Sequence, residues 1–252
     1  MALVHRVVAR NDATESENRI HADDVARRHG FRGGLVPGVV TWGHLADAVV
    51  AALGPAWLQD GTMTARFVAP VYDGDELVVT LDPDGDAPDR VAITGNTAAG
   101  VVALGRAALL PPGGGQRSVE FAGPDPQNST DLSQDRPPAT PATLAPGTRL
   151  APWRTTARSG HPGWLLRQAN SILVANRRLG PWIHVESDVR HLGLVHEGDA
   201  LVVCGVVSDE RERKGRPFVD LDLDYVVSET RPVWHVRHTA IYDLGPGSPT
   251  AS

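Results

Sequence analysis

The chain has little with which to cross-link and nothing with which to span a bilayer. Cys204 is its only cysteine, so no internal disulfide can form and a reducing compartment is expected. The run LVVCGVV around it reads as a buried, inert thiol rather than a nucleophile. No apolar stretch approaches the ~20 residues that cross a membrane. The opening residues MALVHRVVAR lack a signal-peptide layout, so a cytoplasmic location without membrane attachment is expected. Lysine is confined to Lys214, and the other basic residues are arginines. That bias fits a GC-rich genome, and it also fits planar, bidentate recognition of phosphates. Net charge is −6 with both signs interspersed, which argues against nucleic acid as a main partner. Metal-ligand spacings and Gly-rich phosphate loops are missing too, so no metal or cofactor is expected.

What is present begins with an internal repeat. RFVAPVYDGDELVV from Arg66 aligns without gaps to RHLGLVHEGDALVV from Arg190, an offset of 190 − 66 = 124. Each copy reads as strand, Gly-Asp turn, strand, with the glycine supplying a positive φ. Pro37-Gly38 opens one apolar helix and Pro162-Gly163 opens another. Each half therefore predicts a lead strand, one buried central helix and four strands in an antiparallel meander, an α+β layout. A duplication of this length is a pair of domains rather than a solenoid. Packed as a pseudo-dimer, the halves can pair strands into one longer sheet. The expected boundaries are 1–110, a Pro/Gly-rich connector at 111–149 that is too polar for a core, and 150–252.

Chemistry concentrates between Ser16 and Gly38, in SENRIH followed by ADDVARRHGFRGGLVPG. His21 can take and give a proton near neutrality, or it can fix a loop. Asn18 can orient the imidazole or a water. Gly38 follows a proline that has no amide, so it supplies one of the helix's first free donors. With no side chain it lets a carbonyl approach, or lets the helix pack closely on the sheet. Asp23 and Asp24 read as caps of a short helical turn. Arg27, Arg28 and Arg32 are either phosphate ligands or solvated surface. His44 and Asp47 lie one helical turn apart. Of the later histidines His161, His184, His191, His196, His235 and His238, none has a setting like that of His21. His235 and His238 differ in strand parity and should face opposite ways.

These residues resemble the MaoC-like acyl dehydratases and (R)-specific enoyl-thioester hydratases, which have a double hot-dog fold. That family carries Asp-x-Asn-Pro-hydrophobic-His before a Gly-rich loop, and the matching stretch here is Ser16 to His21. Asn18 and His21 match, as does APVYDGDEL from Ala69, whereas Ser16 replaces the family's Asp and Arg19 its Pro. The resemblance implies a double hot-dog in which a long central helix in each half is wrapped by an antiparallel sheet. It implies a lyase that hydrates trans-2-enoyl thioesters or dehydrates 3-hydroxyacyl thioesters. The partner would be an acyl-CoA or acyl-carrier-protein thioester, with coenzyme A or phosphopantetheine entering only as part of the substrate. His21, Asn18, Ser16 and Gly38 are the candidate catalytic residues. Arg32, Gly33, Gly34 and Val36 are the candidate substrate-binding residues. Glu15 or Glu17 could replace the missing carboxylate. The second half is expected to be structural, walling an acyl tunnel with Trp164 and Trp182, and two chains could pair as a homodimer of double hot-dogs. A thioesterase using Asp47 and a non-catalytic acyl-thioester-binding module are the alternatives.

Overall fold

The computed structural model describes residues 3–85, 87–112 and 136–246. The first half contains β1 (Leu3–Val8), a 3-10 turn (Arg19–His21), α1 (Asp23–Arg28), α2 (Gly38–Leu53), α3 (Trp57–Asp60), β2 (Gly61–Phe67), β3 (Glu76–Pro83), β4 (Arg90–Thr97) and β5 (Gly100–Leu109). The second contains β6 (Arg149–Thr156), α4 (Pro162–Asn176), β7 (Ile183–His191), β8 (Ala200–Arg213), β9 (Arg216–Val227) and β10 (Arg231–Ile241). All ten strands form one antiparallel sheet in the order β1-β3-β4-β5-β2-β7-β10-β9-β8-β6.

The halves meet where β2 pairs with β7, and there Thr64 faces Asp188. Since 188 − 64 = 124, equivalent positions of the repeat oppose one another across the junction. The Gly-Asp turns are built alike, with φ +82 at Gly74 and +91 at Gly198.

Helix α2 buries Val39, Trp42, Leu45, Ala46 and Val49, a three-and-four spacing that keeps one stripe on the sheet. Its first turn follows Pro37, and Gly54 ends it at φ +82. Helix α4 has Pro162 in its first turn, and His161 Nδ1 accepts from the Gly163 amide. The two helices touch through glycine, for a Cβ on Gly163 would stand 2.9 Å from Gly43 Cα. Around them lies a continuous core that includes Trp57, Met63, Leu77, Val189, Tyr225 and Trp234.

Three expectations need correction. The four strands after each helix do not run as a meander. β2 leaves its chain neighbour β3 and lies beside β5, while β7 lies beside β10. This puts β2 and β7 at the centre, where each pairs on both sides, and leaves the lead strands β1 and β6 to form the edges. The acids do not cap α1, whose N-cap is Ala22. Asp23 Oδ1 instead accepts from the Gly34 amide at 2.8 Å, tying the glycine turn to the helix. Finally, the expected connector is not all coreless. Residues 113–135 lie outside the described residues, but Leu144 is fully buried in the main core, and Arg177 donates to the Thr143 carbonyl.

Candidate active site

The 3-10 turn brings Asn18 and His21 onto one side of a short loop. His21 Nδ1 lies 2.7 Å from the Leu35 carbonyl. A carbonyl only accepts, so Nδ1 carries the proton and Nε2 keeps its lone pair. Asn18 Nδ2 donates to that Nε2 at 3.3 Å, a long hydrogen bond. Burial lowers the proton affinity of His21, with the Leu35 carbonyl and Asp12 opposing it. The ring is therefore neutral at pH 7 and is a base at Nε2.

Asn18 also clamps the halves together. Its Nδ2 donates to the Trp182 carbonyl at 2.9 Å and its Oδ1 accepts from the Trp182 amide at 3.2 Å. The loop that carries the imidazole is thus held by the chain 164 residues away.

His21, Asn18, Val36 and Gly38 line one cavity of about 240 Å³, together with Thr41, Asn170, Trp182 and His184. Most of its wall is apolar, including Ile20, Phe31, Leu35, Phe67, Val71 and Ile241. Gly38 begins α2, and its amide precedes the first intrahelical bonds, which run from Val40 and Thr41 to the Pro37 carbonyl. Such an amide is a free donor at the positive end of the helix dipole. The need for glycine there is local: a Cβ would stand 2.7 Å from His184 Nδ1.

Several candidate residues lie elsewhere. Ser16 does not line the cavity, and its hydroxyl donates to the Asn18 carbonyl at 3.1 Å. Glu15 is exposed, and Glu17 pairs with Arg136 at 2.7 Å on the surface. Arg32 is held by Asp75 at 2.6 Å and sits 4.2 Å over the Tyr72 ring. Arg27 and Arg28 pair with Asp23 and Asp24 along α1. All three guanidiniums already have carboxylates. Gly33 and Gly34 pack the turn rather than the cavity: a Cβ on Gly34 would meet the His21 carbonyl at 2.1 Å, and one on Gly33 would meet Asp23 at 3.0 Å.

The second half supplies more than wall. Trp182 lines the cavity, whereas Trp164 packs against the main core. Two of its polar side chains, His184 and Asn170, also face the cavity, and His184 Nδ1 and Asn170 Oδ1 are buried without partners. Sequence reasoning missed both. Asn170 carried one available signal, a polar residue amid the apolar stripe of a helix. Asp47 belongs to a different cavity of about 350 Å³, lined also by His161, His196 and Trp234. Its Oδ1 is 2.9 Å from His161 Nε2 and its Oδ2 is 4.0 Å from His44 Nδ1. His235 pairs with Asp224 at 2.9 Å while His238 is fully buried, as opposite parity requires. Burial pushes the Cys204 thiol up to about 11, which removes thiolate chemistry at neutral pH. Among the described residues no cluster of three potential metal ligands occurs, and no helix is long and apolar enough to cross a membrane.

No family model matches the chain, and no curated protein matches it in sequence. Solved structures do match it in shape. A conserved double hot-dog protein of Mycobacterium tuberculosis, essential for survival during infection, aligns at 17% identity and TM-score 0.60, covering 96% of this chain and 95% of that one. The dehydratase domain of PpsC from the same organism, solved with C12:1-CoA, aligns at 14% identity and TM-score 0.58, covering 95% and 93%. A protein described as a thioesterase from Novosphingobium aromaticivorans aligns at 11% identity and TM-score 0.56, covering 82% and 88%. At these identities the likeness establishes a hot-dog fold.

Proposed function

We propose that the chain is a hydratase/dehydratase of acyl thioesters, interconverting trans-2-enoyl and 3-hydroxyacyl groups carried on coenzyme A or a carrier protein. One observation carries the reading: a neutral imidazole with its lone pair free of the backbone and an unpaired helix-start amide line the same apolar cavity. A thioester carbonyl seated on the Gly38 amide would be polarised there. Water held at His21 Nε2 gives its proton to that nitrogen as its oxygen bonds to Cβ. The C=C pair moves to form an enolate, whose oxygen stays on the Gly38 donor. The His21 imidazolium then returns the proton to Cα, and water has added across the double bond. Ser16 serves as a positioning residue for Asn18.

The cavity is smaller than the roughly 300–1,000 Å³ that encloses a drug-sized ligand. At about 240 Å³ it suits the acyl end, with the carrier outside. Solved neighbours support the class, since one is a dehydratase domain holding an acyl-CoA. A thioesterase centred on Asp47 would have to use the other cavity.

The test feeds short and medium trans-2-enoyl-CoA to the protein and follows loss of the conjugated chromophore. His21→Ala should lower the rate by roughly 10²–10⁴, the contribution of a positioned base. Equal rates in wild type and variant would refute the assignment. Release of free thiol that is abolished by Asp47→Asn would establish the thioesterase instead.

A further inference from the structure

The cavity has a second imidazole, and behind it runs a sealed hydrogen-bonded chain. His184 Nε2 lies 2.8 Å from Ser187 Oγ, which lies 2.9 Å from His238 Nδ1. His184 is 5% exposed, and Ser187 and His238 are fully buried. The two rings stack at 4.3 Å, and Phe67 meets His184 edge-on at 5.0 Å. At the outer ends, His184 Nδ1 and His238 Nε2 lack partners.

One hydroxyl proton between two neutral rings allows two arrangements. In the first, Ser187 donates to His238 and accepts from His184 Nε2–H, which strands an N–H at His238 in the apolar core. In the second, Ser187 donates to His184 Nε2 and accepts from His238 Nδ1–H. The unpaired proton then sits on His184 Nδ1, at the cavity wall against Gly38. Orphaned buried donors are rarer than orphaned acceptors, so the second arrangement is favoured because it sets the buried, unpaired N–H on the cavity-lining ring, where a ligand oxygen can pair it, rather than in the core. Burial, reinforced by the neighbouring His238, holds His184 well below the usual histidine range, with a nearby Glu186 carbonyl opposing. The ring is a neutral donor rather than an imidazolium.

We propose that His184, contributed by the second half, is a further catalytic residue whose Nδ1–H joins the Gly38 amide in holding the thioester oxygen, with Ser187 and His238 as positioning residues that fix its tautomer. This rests on the acyl-thioester reading. A neutral imidazole can polarise a carbonyl in this way. A donor excluded from water needs no solvent reorganisation as negative charge develops on the enolate oxygen. The donor transfers no proton; His21 takes the proton from water and returns it to Cα. The glycine at position 38 then has a specific cause, since any side chain would displace the donor.

The test is long-range ¹H–¹⁵N correlation on the ¹⁵N-histidine-labelled protein, with His184 assigned through His184→Asn. The free protein should show His184 protonated at Nδ1, and excess crotonyl-CoA should shift both of its ring nitrogens. Protonation at Nε2, or ring nitrogens unmoved by crotonyl-CoA, overturns the proposal whether or not turnover occurs. In kinetics, His184→Phe should lower kcat by roughly 10²–10³, the effect of losing one oxyanion donor, with KM little changed. His184→Asn, which retains an N–H near the Nδ1 position, should recover part of that loss. Ser187→Ala should mix the tautomers and lower kcat by less. If His21→Ala abolishes turnover while His184→Phe retains the wild-type kcat, the hydratase reading stands and this proposal falls. If His184 shifts with crotonyl-CoA but no hydration is seen, the donor stands and the hydratase reading falls.

Discussion

At the scale of single residues the site is a set of decisions about protons and free donors. The Leu35 carbonyl decides which nitrogen of His21 is basic. Gly38 keeps one donor unobstructed, and its missing Cβ makes room for the His184 ring. Gly38→Ala should therefore cost about 1–3 kcal/mol as overpacking and should lower turnover more than His21-independent binding of acyl-CoA. Thermal unfolding and single-turnover kinetics on the variant check both parts. A variant as stable and active as wild type would mean the ring yields without consequence. Much of this site was legible in the sequence. Asn18, His21 and Gly38 stand in one local stretch, and the short loop between them limits how far apart they can be. His184 was not legible. It stands 184 − 21 = 163 positions from His21 and reaches the cavity only because β2 pairs with β7. Ser16 and Arg32, placed in the site by residue type, lie outside the cavity for a related reason. Residue type and spacing cannot say that Asn18's own carbonyl, or a neighbouring aspartate, has already engaged them.

At the scale of elements, the two long helices are held where glycine faces glycine. A Cβ on Gly163 would come to 2.9 Å from Gly43 Cα and 3.2 Å from the Val39 carbonyl. Neither is a side chain that can swing away. Gly163→Ala should destabilise the fold by about 1–3 kcal/mol, which lowers Tm by roughly 2–4 °C per kcal/mol at this chain length. Calorimetry on the variant measures it, and an unchanged Tm would show that the helices can slide apart freely. Helices and strands were readable because apolar spacing reports the buried face and Pro-Gly marks helix starts. The lateral order of strands was not. Alternation fixes which face of a strand is buried and leaves its neighbours open, so a simple meander and the observed β3-β4-β5-β2 order have the same local pattern.

At the scale of the whole molecule, neutral buried histidines tie the fold to pH. Burial lowers His191 to about 4 and His238 to about 3, and it also lowers His21, His44 and His184. Each binds its proton more weakly when folded than when unfolded. Below the unfolded value near ~6.5 the unfolded chain takes up more protons, so stability falls as pH falls. His235, raised by its hydrogen bond to Asp224, acts in the opposite sense, as does Asp188, raised by burial, at lower pH. Denaturant midpoints should be flat above about pH 7.5 and should decline from near pH 6.5 downward, before carboxylates titrate. Decline that begins only near pH 4 would mean that these rings are hydrated or charged in the folded state.

The candidate cavity is a joint product of the two halves, with His21 and Gly38 from the first and Trp182, Asn170 and His184 from the second. The most direct measurement is a crystal structure of the His21→Ala variant with a trans-2-enoyl-CoA bound. The account predicts the acyl chain among Phe31, Phe67 and Ile241, the thioester oxygen within hydrogen-bonding distance of the Gly38 amide, and Cβ facing position 21. A thioester seated instead between Asp47 and His161, or outside both cavities, would contradict it.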